Sequence, residues 1–128
     1  MDRIDKILNH DLFLYHLGKN NAAEADRRFC RHSMVHFLDV ARIGTIIALE
    51  EGLELDREWI YAAALLHDCG KHEQYENGTP HEQASARIAP EILKDCGFDD
   101  KETDVIVTAI SRHRDPEAAK EKNLNGVL

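Results

Sequence analysis

Residues 56–71 read DREWIYAAALLHDCGK. Asp56 is a residue type that caps helices, because its carboxylate accepts from amides of the first turn. The run that follows is apolar without strand-like alternation, and Gly70 turns the chain directly after it. The stretch predicts a helix from Asp56 to Gly70, buried through AAALL, that delivers His67 and Asp68 side by side at its C-terminal end. Burying an imidazole beside a carboxylate is costly unless both are satisfied. A divalent metal satisfies both, since imidazole and carboxylate oxygen are transition-metal ligands. So does a plainer arrangement, with His67 on a backbone carbonyl and Asp68 paired with Lys71.

The punctuation on either side is also helical. A first helix is expected over residues 2–17, with a break near Asn9 and its end at Gly18. Asn21 is placed to cap a short helix to Cys30, and Ser33 a long one to Glu51, stopped by Gly52. Thr79-Pro80-His81-Glu82 has the form of a capping box with proline at the first helical position. The helix it opens is expected to kink at Pro90 and stop at Gly97. Asp99 to Glu102 is a second box-like start, for a helix to His113, and Asp115-Pro116 opens one more. VIVTAI at 105–110 is β-branched but lies inside a helical period, so the chain reads as all-α.

Composition narrows the class. A chain of 128 residues that is 43% apolar and 31% charged is neither disordered, fibrous nor membrane-embedded. Its net charge of −8 argues against a nucleic-acid polymer or an anionic membrane as partner. No apolar run approaches the ~20 residues of a membrane span. The first residues lack the basic-then-apolar layout of a signal peptide, so a cytoplasmic location is expected. Cys30, Cys69 and Cys96 form no CxxC pair, which fits a reducing compartment. Cys69 is expected as a small buried residue.

Eight histidines are many for this length. His36 shares a helical stripe with Val40, Ile43 and Ile47, where a histidine is most often a satisfied core residue. It lies on the helix before the one ending in His67-Asp68, however. If the two run antiparallel, the first part of one meets the last part of the other and forms a workable metal pocket. His10-Asp11 is a second doublet, but it lacks the glycine turn and reads as the start or middle of an amphipathic helix. His16 and His72 read as solvent-facing.

Together these residues resemble the HD-domain superfamily of metal-dependent phosphohydrolases. The matching pieces are His36-Val40-Ala41 (HxxxVA) and His67, Asp68, Gly70 and Lys71 (HDxGK), with the two histidines 31 positions apart. The resemblance covers about residues 30–115 and implies an orthogonal helical bundle of about six or seven helices. It also implies that His36, His67 and Asp68 hold one metal ion. His81 and His113 fit a two-metal subgroup resembling dinucleoside-polyphosphate hydrolases, with Asp68 bridging. Taken singly, His81 is equally an exposed first-turn residue, and His113 a cation at a helix C-terminus. His32, one turn before His36, is placed near the pocket rim rather than among the ligands.

The implied chemistry is phosphoester hydrolysis by a metal-activated hydroxide, with Asp68 and Lys71 as catalytic residues. Arg112 or Arg114 is a further phosphate contact, or else part of a solvated helix end. Iron or manganese is expected from the family, with nickel, cobalt, zinc and magnesium left open. The expected partner is a small phosphorylated metabolite or nucleotide, with no nucleic-acid polymer and no membrane, and a homodimer is left open. The family's site ends with an Asp on a later helix. Asp115 is the only nearby candidate, yet it precedes Pro116 as an N-cap would and follows His113 too closely. The chain is therefore expected to be a single domain, 1–128, truncated at its C-terminus. Two other readings compete with the hydrolase. One is a catalytically impaired nucleotide- or metal-binding module. The other is an interaction protein whose histidines serve only core and caps.

Overall fold

Asp56 does cap a helix, its carboxylate accepting from Glu58 N at 2.8 Å. That helix, α4 (Arg57–Leu66), is the axis of the fold. Ala62, Ala63, Ala64, Leu65 and Leu66 are all fully buried, so neighbours cover it on every side. The computed structural model describes residues 1–25 and 34–128, and these are helical with no strand. The expected caps at Ser33 and the helix end at Cys30 lie outside the described residues, as does His32.

Around α4 stand α1 (Asp2–Leu8), α3 (Met34–Glu50) and α7 (Asp100–Arg112). Gly44 sets how closely α3 approaches: a Cβ there would lie 3.2 Å from Ile60 Cγ2 and 3.1 Å from Val127 O. α7 follows α6 (His81–Asp95) through a turn at Gly97, whose φ of 95° suits glycine. The Asp99–Glu102 capping box then restarts the chain, with both reciprocal bonds formed. At the N-terminal end of α4, Arg3 joins Glu58 at 2.9 Å and Glu102 at 2.8 Å, and Trp59 Nε1 donates to Glu102 at 2.7 Å. These bonds tie α1, α4 and α7 at one end and leave the His67 end for the site.

The first helical stretch does break at Asn9, into α1 and α2 (Asp11–Ala23), because His10 Nδ1 accepts from Leu12 N and starts a new helix. Several other expectations are corrected. α2 passes through Gly18 and Asn21, so neither is a boundary. The central stretch does not stay helical to Gly70. It turns at residues 67–70 and enters a short helix not foreseen, α5 (Lys71–Asn77), closed by Gly78 at φ 80°. The Thr79 box does not form. Thr79 N and Oγ1 donate back to Asn77 Oδ1, at 3.0 and 2.6 Å, and Pro80 holds the cap position without a side-chain bond. After Asp115 comes only a single 3₁₀ turn (Ala118–Lys120) before α8 (Leu124–Val127).

Candidate metal centre

Four helix ends converge on one carboxylate. Asp68 is buried in the turn after α4, and the nearest imidazole is its neighbour, with His67 Nε2 3.1 Å from Oδ2. α3 brings His36 Nε2 to 3.8 Å from the same oxygen. The N-terminus of α6 and the C-terminus of α7 bring His81 and His113 to Oδ1, at 3.4 and 3.6 Å. Two groups of donor atoms result, each within 4.8 Å: His36, His67 and Asp68, and Asp68, His81 and His113. The antiparallel pairing of α3 and α4 thus juxtaposes the ends as their order along the chain predicts.

Backbone and side-chain acceptors set the tautomers. His67 Nδ1 lies 2.6 Å from Ala64 O, and His113 Nδ1 lies 2.6 Å from Ile110 O. A carbonyl only accepts, so each Nδ1 carries a hydrogen and each ring turns its Nε2 towards Asp68. Gln74 Oε1 accepts from His81 N at 3.2 Å, which fixes its amide, and it takes the His81 Nδ1 hydrogen at 2.8 Å. His81 Nε2 then faces His113 Nε2 at 3.2 Å. Burial pushes the His81 imidazole down to about 4, against the pull of the Asp68 charge, so it is neutral near pH 7. Two ring nitrogens at that separation, next to a carboxylate, form a pocket for a cation.

The plain alternative for His67 is half realised, since its Nδ1 is on a carbonyl. Asp68, however, is ringed by imidazoles, and Lys71 turns elsewhere. Its buried ammonium lies 3.4 Å from His81 Nδ1 and 5.8 Å from the Tyr75 ring centre. Arg112 is committed to Asp115 at 3.1 Å and to Glu121. Arg114 borders an open polar cleft lined by Gln74, Pro80, His81 and Glu82. Asp115 accepts from Glu117 N at 3.0 Å in the turn before the 3₁₀ segment and joins neither donor group. Cys69 is buried and its thiol is pushed up to about 12 by that burial, which suits a packing role.

His72 and His16, expected at the surface, are 3% and 8% exposed, and His16 Nδ1 lies 2.7 Å from His72 Nε2. The sequence reading also missed Asn20, Gln74 and Ser85, all of which bond to this region. None of the three falls in a motif.

The HD domain family matches residues 34–127, which hold Asp68 and all four histidines around it. The chain belongs to the HD-domain family. A protein of Clostridium beijerinckii described only as uncharacterized is 50% identical over 115 residues, which is 90% of this chain and 73% of that protein. No solved structure matches. HD domains form a family of metal-dependent phosphohydrolases that bind divalent metals, and the donor set here fits such an ion: neutral imidazole nitrogens and carboxylate oxygens. Among the described residues no helix is long and apolar enough to cross a membrane.

Proposed function

We propose that this HD domain is a hydrolase of small phosphate esters, a phosphorylated metabolite or nucleotide, that works with two divalent ions sharing Asp68. The observation that carries the reading is the 3.2 Å approach of His81 Nε2 to His113 Nε2 while both Nδ1 atoms are committed as donors. With Nδ1 of each ring used as a donor, the two Nε2 atoms are placed beside the Asp68 carboxylate to share a cation. His36, His67 and Asp68 would hold one ion, and Asp68, His81 and His113 the other, with iron or manganese favoured by the family. Ions so bound supply Lewis-acid neutralisation of phosphoryl charge and lower the pKa of a water.

The chain's own residues then have separate tasks. Asp68 offers one oxygen to each group, so it sets the spacing of the two. The carbonyls of Ala64 and Ile110 hold the His67 and His113 rings in the ligating tautomer. Lys71, buried at the pocket edge without a strong hydrogen bond to His81, is placed to bind a phosphoryl oxygen. Arg114, on the neighbouring cleft, would meet a second phosphate, whereas Arg112 is held by Asp115 and Glu121.

Elemental analysis of the purified chain comes first, followed by a phosphate-release screen of nucleotides and sugar phosphates with iron or manganese. The expected result is near-stoichiometric metal and turnover that His67→Ala abolishes while helical content is kept. Metal without turnover of any ester would favour the binding-module reading. A specific observation supports that alternative: Asp115, the nearby candidate for a further carboxylate, joins neither donor group.

A further inference from the structure

The turn that carries Asp68 is gripped from a helix outside the donor set. Asn20, on α2, is fully buried. Its Nδ2 donates to the Asp68 carbonyl at 3.0 Å, and its Oδ1 accepts from His72 N at 2.8 Å. The amide orientation is dictated, since a carbonyl only accepts and a backbone N–H only donates. One side chain therefore spans the turn from Asp68 to His72, adding to the bond that Lys71 N makes to the Asp68 carbonyl at 3.0 Å and satisfying His72 N in the first turn of α5. One helical turn earlier, His16 stacks on His72 with ring centres 5.0 Å apart, closing the same face of the turn. Ser85 Oγ grips the other face by accepting from Gly70 N at 2.9 Å.

We infer that Asn20 is a positioning residue for the metal centre, acting through the Asp68 backbone to hold its carboxylate between the two groups of imidazoles. The inference rests on the metal reading above. Asp68 follows the helical part of α4, so its main chain is not fixed by the α4 ladder alone. Its two oxygens must reach 3.1–3.8 Å from nitrogens on four segments. A rotation of this turn displaces both oxygens at once, whereas loss of a single imidazole affects one group.

The test is Co(II) binding to the full chain, read by titration and by the visible d–d spectrum, in wild type, Asn20→Asp and Leu93→Ala. Asn20→Asp keeps an acceptor for His72 N and removes the donor to Asp68. Leu93→Ala loosens the core away from the turn. We expect Asn20→Asp to weaken Co(II) binding about 10-fold or more and to change the spectrum, the usual scale for loss of an outer partner. Leu93→Ala should lower the melting temperature and leave the spectrum unchanged. If Asn20→Asp does not fold, Asn20→Ser is read the same way. Wild-type affinity and spectrum in the Asn20 variant overturn the inference, and so does an equal spectral change in Leu93→Ala. A wild-type chain that takes up no Co(II) overturns the metal reading itself, an outcome distinct from the other two.

Discussion

The two sides of Asp68 are built differently. On the Oδ1 side, His81 is buried and its ring is set by Gln74, while His113 is partly buried and held by its own helix carbonyl. On the Oδ2 side, His67 is equally fixed, but the His36 side chain is 41% exposed and stands 3.8 Å away. One half is an enclosed pair of rings with matched tautomers. The other opens to solvent and includes a donor from the first turn of α3. Enclosure raises the penalty for leaving donors unsatisfied, so the His81–His113 half is the more demanding of a cation.

The largest effect that bears on this contrast belongs to the residue common to both halves. Asp68→Ala should leave no bound metal by elemental analysis and no metal-dependent phosphate release. Retention of one equivalent would mean that the halves are independent and Asp68 is not shared. Next come the separate ligands. His81→Ala should remove one equivalent and weaken binding beyond the ~10–100-fold typical of outer partners, whereas His36→Ala, where water can substitute, should fall within that range. The reverse order in a titration would break the distinction between the halves.

Gly70→Ala probes how the enclosed half is held. A Cβ at Gly70 would sit 2.7 Å from Ala84 Cβ and from Ser85 N, in the helix that begins with His81. Relief requires backbone movement, so urea melts should show a loss of about 1–3 kcal/mol. An unchanged midpoint would show that α6 yields freely and that the enclosure is soft.

Per pH unit, the smallest effect is acid sensitivity at the buried His16–His72 pair. Burial, then the neighbouring His72, pushes His16 down to about 4. The folded state favours its neutral form, so this contribution to stability is complete above the ordinary value of 6.5. It is lost as pH falls from 6.5 towards 4, because there the unfolded chain binds the extra proton. In metal-free protein the slope from His16 should be at most about 1.4 kcal/mol per pH unit, and His16→Gln should flatten it. A melting temperature equally pH-dependent in the variant would place the acid sensitivity in other groups.

Much of the candidate site was legible because its donor residues sit at helix ends marked by punctuation. The Asp56 cap, the apolar run and Gly70 place His67-Asp68, and helix order along the chain then brings in His36, His81 and His113. What escaped were contacts without a sequence period. Asn20, Gln74 and Ser85 are polar residues inside or beside helices, and their bonds run to backbone groups of other elements. His16 and His72 were misassigned because neither lies on an obviously apolar face. Their burial comes from α2 packing against α5, a helix that the sequence does not announce.

Local chemistry in the chain therefore determined the helical class, the caps at Asp56 and Asp99, and the histidines and aspartate of the HD pattern. Caps and periodicity act within a few residues, which is why they can be read along a line. Tertiary structure alone decided which ring nitrogens face Asp68, which arginine is already paired, and that the turn at residues 67–70 is held from α2 and α6. The grip on that turn depends on hydrogen bonds between residues 15 to 52 positions apart, and only packing brings such residues together.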